Sequence, residues 1–183
     1  MKYVIGIFAA LIAVLLLFMY PLYEQVRTQD RLAASVAQDA AVLLIDSART
    51  KGYLTPQVYQ EFNAKLAATG NPYEVQLEHL HKRYGPDYSD PANPATFLGS
   101  FTTYYDGFYD EQILSVLFPN NGKSADDPSR RYTMQVGDYI GISIRNINRT
   151  PAAQLRDFLL NLNTGDDASI TVNYEGMVLN EDY

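Results

Sequence analysis

YVIGIFAALIAVLLLFMY, residues 3–20, holds no charge and no proline, and PLYEQVRTQDRLAASVAQDAAVLLIDSARTK, residues 21–51, follows it without a glycine. As a helix, the first stretch would be about 27 Å long, close to the thickness of a bilayer's hydrocarbon core. A cleaved secretory signal has a shorter apolar core and small residues before its cut. Here the core exits through Phe18, Met19, Tyr20, Pro21, Leu22 and Tyr23. A helix buried in a soluble domain shows a polar stripe, and this stretch has none. The expectation is an uncleaved single-span anchor in the cytoplasmic membrane, flanked by the interfacial aromatics Tyr3, Tyr20 and Tyr23. The flanking charges balance: Lys2 lies on one side, and Arg27 and Arg31 lie among Glu24 and Asp30 on the other. The bulk of the chain follows the span. An N-terminus inside and a C-terminal domain outside is therefore expected.

The second stretch keeps a helical period. Leu22, Val26, Gln29, Ala33, Val36, Ala40, Leu43 and Ser47 recur at spacings of four and three, a heptad-like seam with polar insertions at Gln29 and Ser47. Ala33, Ala34, Ala37, Ala40 and Ala41 run beside it, and small residues let another helix or sheet approach closely. One long helix is expected from the membrane to about residue 50, kinked at Pro21 and stopped by Gly52. Leu22, Val26, Ala33, Val36, Ala37, Ala40, Ala41 and Leu43 form its expected assembly interface. On that reading, leucine at Ala37 and Ala41 impairs assembly and leaves the head folded. The chain divides into an anchor and long helix over 1–50 and an extracytoplasmic head over 51–183.

After residue 20, 163 of the 183 residues remain, enough for one domain with its own core. Without Lys2, 13 basic residues face 21 acidic ones, a net −8. An acidic surface argues against nucleic acid as a partner. Cysteine is absent, which excludes disulfides, thiolate catalysis and cysteine-ligated zinc.

The head alternates helix and strand signals. Thr55-Pro56 is a cap followed by proline at the first helical position, and Gly70 closes that helix, with Val58, Phe62, Leu66 and Ala67 on its buried face. Tyr73 to Lys82 alternates as a strand, with Tyr73, Val75, Leu77 and His79 on one side. Residues 84–98 hold three prolines among Asp, Asn and Ser and read as a loop. Glu111 to Phe118 reads as a short helix and Asn120 to Arg130 as a polar loop. Arg131 to Asn148 reads as strand with a bulge or turn at Gly137-Asp138. Thr150-Pro151 opens a helix to about Asn161, and Ala168 to Leu179 is a last strand through Ile170, Val172 and Tyr174. Three or four antiparallel strands packed on helices make an α+β fold.

Chemistry is sparse. His79 and His81 are the two histidines, and an H-x-H pair on a strand can supply two ligands of a zinc site. Its third ligand would come from elsewhere, with Asp87 or Asp90 as the choices. Metal sites usually show more ligands than this, so the reading preferred is two polar residues on a half-exposed strand, and no metal ligand and no cofactor is assigned. Asp87 and Asp90, Asp106, Asp110 and Glu111, Asp126 and Asp127, and Asp166 and Asp167 sit in loops that could hold calcium. None follows an EF-hand pattern, and aspartates in turns bond their own backbone. Tyr104, Tyr105, Phe108 and Tyr109 form either an aromatic platform or a packing cluster. There is no G-x-S-x-G, P-loop or G-x-G-x-x-G, so no catalytic residue and no enzymatic activity are expected.

A membrane helix that runs on past Pro21 as a long alanine-rich helix, and then SVAQDAAVLLIDSARTKGYLTPQVYQEF where a second helix begins, resembles the pilin-like proteins of the type IV filament superfamily. Prepilins of the superfamily carry a charged leader ending in glycine and a glutamate early in the hydrophobic stretch. Here Gly6 is followed by Ile7 and Phe8, with no glutamate through Phe18. The layout is thus more similar to the TadE/TadG-type pseudopilins of tight-adherence pilus systems. The resemblance spans about the first 65 residues and carries over no functional site. It implies an α+β pilin-like fold and a structural subunit of a surface pilus or of a secretion or conjugation apparatus. Its partners would be the cell membrane and other pilin-like or apparatus subunits. An alternative, from the tyrosine cluster and the acidic loops, is an anchored extracytoplasmic ligand-binding or sensor module.

Overall fold

The computed structural model describes residues 2–160 and 170–179. Helix α1 (Lys2–Lys51) is continuous through Pro21 and about 75 Å long. Gly52 ends it at φ 74°, a conformation that costs glycine nothing, and donates its N–H to the Ala48 carbonyl. The Arg49 carbonyl, left over at the helix end, accepts the N–H of Leu179 at 2.9 Å. Strand β1 (Tyr53–Leu54) follows, then α2 (Pro56–Ala67), where Thr55 accepts the Val58 N–H and Pro56 takes the first turn. Phe62 and Leu66 of α2 are buried, Val58 is half-buried, and Ala67 is exposed, the one expected core position of this helix that faces solvent.

Strands β2 (Tyr73–Tyr88) and β3 (Phe97–Tyr109), helix α3 (Asp110–Leu117), strands β4 (Tyr132–Thr133) and β5 (Tyr139–Asn146), helix α4 (Pro151–Leu160) and strand β6 (Thr171–Met177) complete the domain. Single 3₁₀ turns occupy Pro94–Thr96 and Pro128–Arg130. The main sheet has the order β3-β2-β5-β6 and is antiparallel throughout, and β1 pairs with β4 in a separate two-stranded sheet. The α+β class expected from sequence is what is observed. The expected ends of α4 at Asn161 and of the last strand at Ala168 lie outside the described residues.

Strand β2 is bound differently along its length. Its first half pairs with β5 from Tyr73 to Leu80, and its second half pairs with β3 from Glu78 to Tyr88. Beyond Leu80, β2 and β3 therefore form a two-stranded ribbon. This corrects the expected loop over residues 84–98, of which Tyr84 to Tyr88 and Phe97 to Leu98 are strand. Pro86 is tolerated because β5 does not reach it, and a register shift follows between Pro86 and Tyr88. The expected strand over Arg131 to Asn148 is divided into β4 and β5 by the turn at Gly137.

The core lies between the inner face of this sheet and the C-terminal half of α1. Ala37, Ala40, Ala41, Leu44, Ile45 and Ala48 pack with Leu77, Ile140, Ile142, Ile144, Val172 and Val178, and α2 adds Phe62 and Leu66. The expected seam is thereby split in two. Ala33, Ala37, Ala40 and Ala41 are buried in the chain's own domain and Val26 is half-buried, whereas Leu22, Val36 and Leu43 are 52 %, 38 % and 55 % exposed. The core also crosses the expected boundary at residue 50, because α1 from Ala33 onward is part of the head. Arg49 fastens the two parts. Its Nε donates to the Met177 carbonyl at 3.2 Å, and its guanidinium pairs with Asp46, which also accepts the Tyr174 hydroxyl. Gly176 makes room for it, since a Cβ there would lie 3.0 Å from the Arg49 side chain.

Leucine at Ala41 must therefore enter a filled core. Ala41→Leu is expected to destabilise the head by about 1–3 kcal/mol in urea unfolding of the full chain in detergent. Leu43→Ala, on the exposed side of the same helix, should change stability by no more than about 0.5 kcal/mol. Equal effects at the two positions would contradict the packing.

Candidate functional site

Alternation along β2 puts His79 and His81 on its inner face. The sequence then brings a carboxylate to them through a turn. Gln135-Val136-Gly137-Asp138 is closed by the Asp138 N–H on the Gln135 carbonyl, and Gly137 stands at φ 92° in the third position, as a type II turn requires. The same turn is tied to the chain beyond β6, because Val178 donates to the Asp138 carbonyl and accepts from Gly137.

The Asp138 side chain is 1 % exposed and every part of it is engaged. Oδ1 accepts the Lys82 N–H at 2.9 Å and meets His81 Nδ1 at 3.0 Å. Oδ2 accepts the Gln135 N–H at 2.8 Å and meets His79 Nε2 at 2.9 Å. Burial pushes this carboxyl up, but those four hydrogen bonds outweigh it and hold the carboxyl below its ordinary range. An ionised carboxylate is acceptor-only, so His79 Nε2 carries the proton. His79 is itself buried. Its other nitrogen, Nδ1, lies 2.7 Å from the Tyr132 hydroxyl, which then donates to it. Burial, with a smaller contribution from Asp138, pushes the Tyr132 phenol up to about 12, so it stays protonated. Burial also pulls the His79 imidazole below its ordinary value, more strongly than Asp138 raises it.

Phe108 stacks on His79 with ring centres 5.5 Å apart, and Tyr132 meets the same ring edge-on. A cavity of about 410 Å³ opens onto this cluster, walled by Phe108, Gln112, Val116 and Met134. A larger one, of about 720 Å³, lies over the outer sheet face along Gln76, Glu78, Ser143 and Glu175, where the side chains are half-buried or exposed and no histidine takes part. The histidine cluster is the better candidate because its groups converge. Their nitrogen and oxygen donors all fall within 4.8 Å of one another, and among the described residues it is the one group of three or more that can hold a metal. The arrangement can either pin three elements together through a buried carboxylate or hold a cation.

The expected third partners lie elsewhere. Asp87 is six residues along an extended strand from His81, about 20 Å away. It accepts the Ser100 and Thr102 hydroxyls at 2.8 Å each, which hold its carboxyl below the ordinary range. Asp90 accepts the Ala92 N–H in its turn. Other loop aspartates also have local duties. Asp106 pairs with Arg83, Asp110 accepts the Leu77 N–H, Asp126 bonds Gln57, and Asp127 caps the turn at Pro128. Asp166 and Asp167 lie outside the described residues. The four aromatics divide by register: Tyr104 and Phe108 share the histidines' face, where Tyr104 is exposed, and Tyr105 and Tyr109 lie on the opposite face. The sequence marks Asp138 only as part of a turn. No local signal marked it as the partner of histidines 57 and 59 positions away.

The chain matches no family model, no curated protein and no solved structure.

His79 makes stability depend on pH with a definite sign. Its folded pKa lies below the unfolded value of 6.5, so below that pH the unfolded chain holds the extra proton. Urea stability of the full chain should be level above about pH 7 and fall as pH drops through about 6.5, by at most about 1.4 kcal/mol per unit from this group. Asp138 adds a second loss as pH falls below its ordinary 3.8. A profile that is flat between pH 7 and 5 would mean that His79 takes up its proton as readily in the fold as in the unfolded chain.

Proposed function

We propose that this chain is a membrane-anchored, pilin-like structural subunit, displayed outside the cytoplasmic membrane and assembling with like subunits in a surface pilus or in a secretion or conjugation apparatus. One observation carries the reading. A single continuous helix has an apolar N-terminal stretch that no other described residue covers, while its C-terminal half is the centre of the head's core. The exposed apolar window is long enough to cross a bilayer. A domain built on the continuation of its own anchor is held at a fixed angle to the membrane helix, as a subunit of a regular assembly needs.

The surface of α1 supports assembly through a revised set of residues. Leu22, Leu32, Val36 and Leu43 are exposed, and with Gln25 and Gln29 they fall at alternating spacings of three, four and seven, the seam of a coiled coil. This seam lies beside the face that holds the sheet, and Leu43 borders a groove shared with Val58 and Phe62 of α2. A second copy packing along it would leave Ala37, Ala41 and Ile45 in the core.

The alternative of an anchored binding module draws on a different observation. The β2–β3 ribbon exposes Tyr84, Phe97, Leu98, Phe101, Tyr104 and Tyr105, and Lys82 lies 5.1 Å from the Tyr84 ring centre. Calorimetry with calcium and with sugars tests that reading. It calls for the full chain in detergent, because α1 contributes to the core.

Two measurements test the assembly reading. Protease added to intact spheroplasts should digest the head, and a head protected until the membrane is opened would refute the proposed topology. The chain has no cysteine of its own, so a single cysteine at Val36 or Leu43 reports contact directly. Oxidation in native membranes should give covalent dimers from either position and none from a cysteine at buried Ala41. Absence of dimers from both exposed positions would defeat assembly through this seam.

A further inference from the structure

We propose that His79, His81 and Asp138 bind one divalent transition-metal ion of the zinc class, with a remaining coordination position open to the cavity beside them. The proposal is independent of the assembly reading. His79 Nε2, His81 Nδ1 and the Asp138 carboxylate point at a common centre. His81 Nδ1 stands almost equally far from the two carboxylate oxygens, at 3.0 and 3.1 Å. A zinc ion bonded at about 2.0–2.2 Å to each donor needs those donors about 3.3 Å apart. The histidine–carboxylate contacts, at 2.9 and 3.0 Å, need lengthen by only a few tenths of an ångström, and the two histidine nitrogens, within 4.8 Å of each other, close onto the ion.

The supporting shell is in place. Backbone N–H groups of Lys82 and Gln135 fix the carboxylate, one on each oxygen. Tyr132 holds the far nitrogen of His79, the position that in metal-bound imidazoles is held by a hydrogen-bond acceptor. Binding moves the His79 proton from Nε2 to Nδ1, where the Tyr132 oxygen accepts it, and the phenol proton turns toward the cavity. Two imidazoles and one carboxylate select zinc, cobalt or nickel over calcium and magnesium, which take oxygen ligands. Both histidines come from one rigid strand and the carboxylate from a closed turn. The ion would thus clamp β2 to the segment entering β5.

The test uses the full chain in detergent. Zinc competed against a chromogenic chelator should bind saturably at one ion per chain, unaffected by calcium. Cobalt in its place should give the visible absorption of a tetrahedral site. His81→Gln keeps an amide N–H toward Asp138 at a partly exposed position, and it should weaken zinc binding by more than about tenfold. Tyr132→Phe, which touches no ligand atom of the ion, should weaken it by about 10- to 100-fold. If either variant fails to fold, X-ray absorption at the zinc edge of the unaltered protein decides: two imidazole nitrogens support the site, and an all-oxygen shell refutes it. Absence of a saturable site, or unchanged affinity in a folded His81→Gln variant, also overturns the proposal.

Discussion

The close approach of an alanine face to an antiparallel sheet is the constraint on which the rest of this molecule depends. Ala37, Ala40, Ala41 and Ala48 bring the backbone of α1 near β5 and β6, and Leu44 and Ile45 fill the space beside them. Interiors are packed nearly as densely as organic crystals, so a contact surface made of methyl groups leaves little freedom in the height or tilt of the helix. The sheet needs this cover, since Ile140, Ile142 and Ile144 would otherwise lie open to water. The helix needs it as well, because its C-terminal half would otherwise expose a stripe of small apolar residues. The apolar N-terminal stretch and the head thus share one continuous helix.

Polar tethers at the helix end refine that packing. Arg49 reaches the β6 carbonyl at Met177, Asp46 takes Tyr174, and the Arg49 carbonyl accepts the Leu179 N–H. These contacts join segments about 128 residues apart in sequence. Each is modest in net free energy, because folding exchanges them for bonds to water. Their effect is on geometry: they fix which residues of β6 lie over the helix, and β6 in turn sets the turn that carries Asp138.

Asp138 is the second fixed point. A carboxylate at 1 % exposure is costly unless it is fully hydrogen-bonded, and here two backbone N–H groups and two imidazoles satisfy it. Tyr132 extends the chain of bonds to β4. A buried carboxylate with every partner met, at the edge of the apolar core, specifies one register between β2 and the β4–β5 turn, because any slip would strand a buried charge.

The amino-acid sequence alone determined the elements with strong local signals. The uncharged span from Tyr3 to Tyr20, the Thr55-Pro56 and Thr150-Pro151 caps, the alternation from Tyr73 to His79 and the turn at Gly137 all act within a few residues, so a linear reading finds them. Strand β3 escaped that reading, because FLGSFTTYYDGFY is exposed on both faces along most of its length and has no buried side to impose a period of two. The heptad-like seam of α1 was visible, but not its division. Which of its residues face the chain's own sheet and which face outward depends on where β5 and β6 arrive, and periodicity is blind to the identity of the partner. The histidine pair was legible as a pair. Its carboxylate was not, since Asp138 reaches it through pairing between strands more than fifty residues apart, and only tertiary structure turns such a distance into 3 Å.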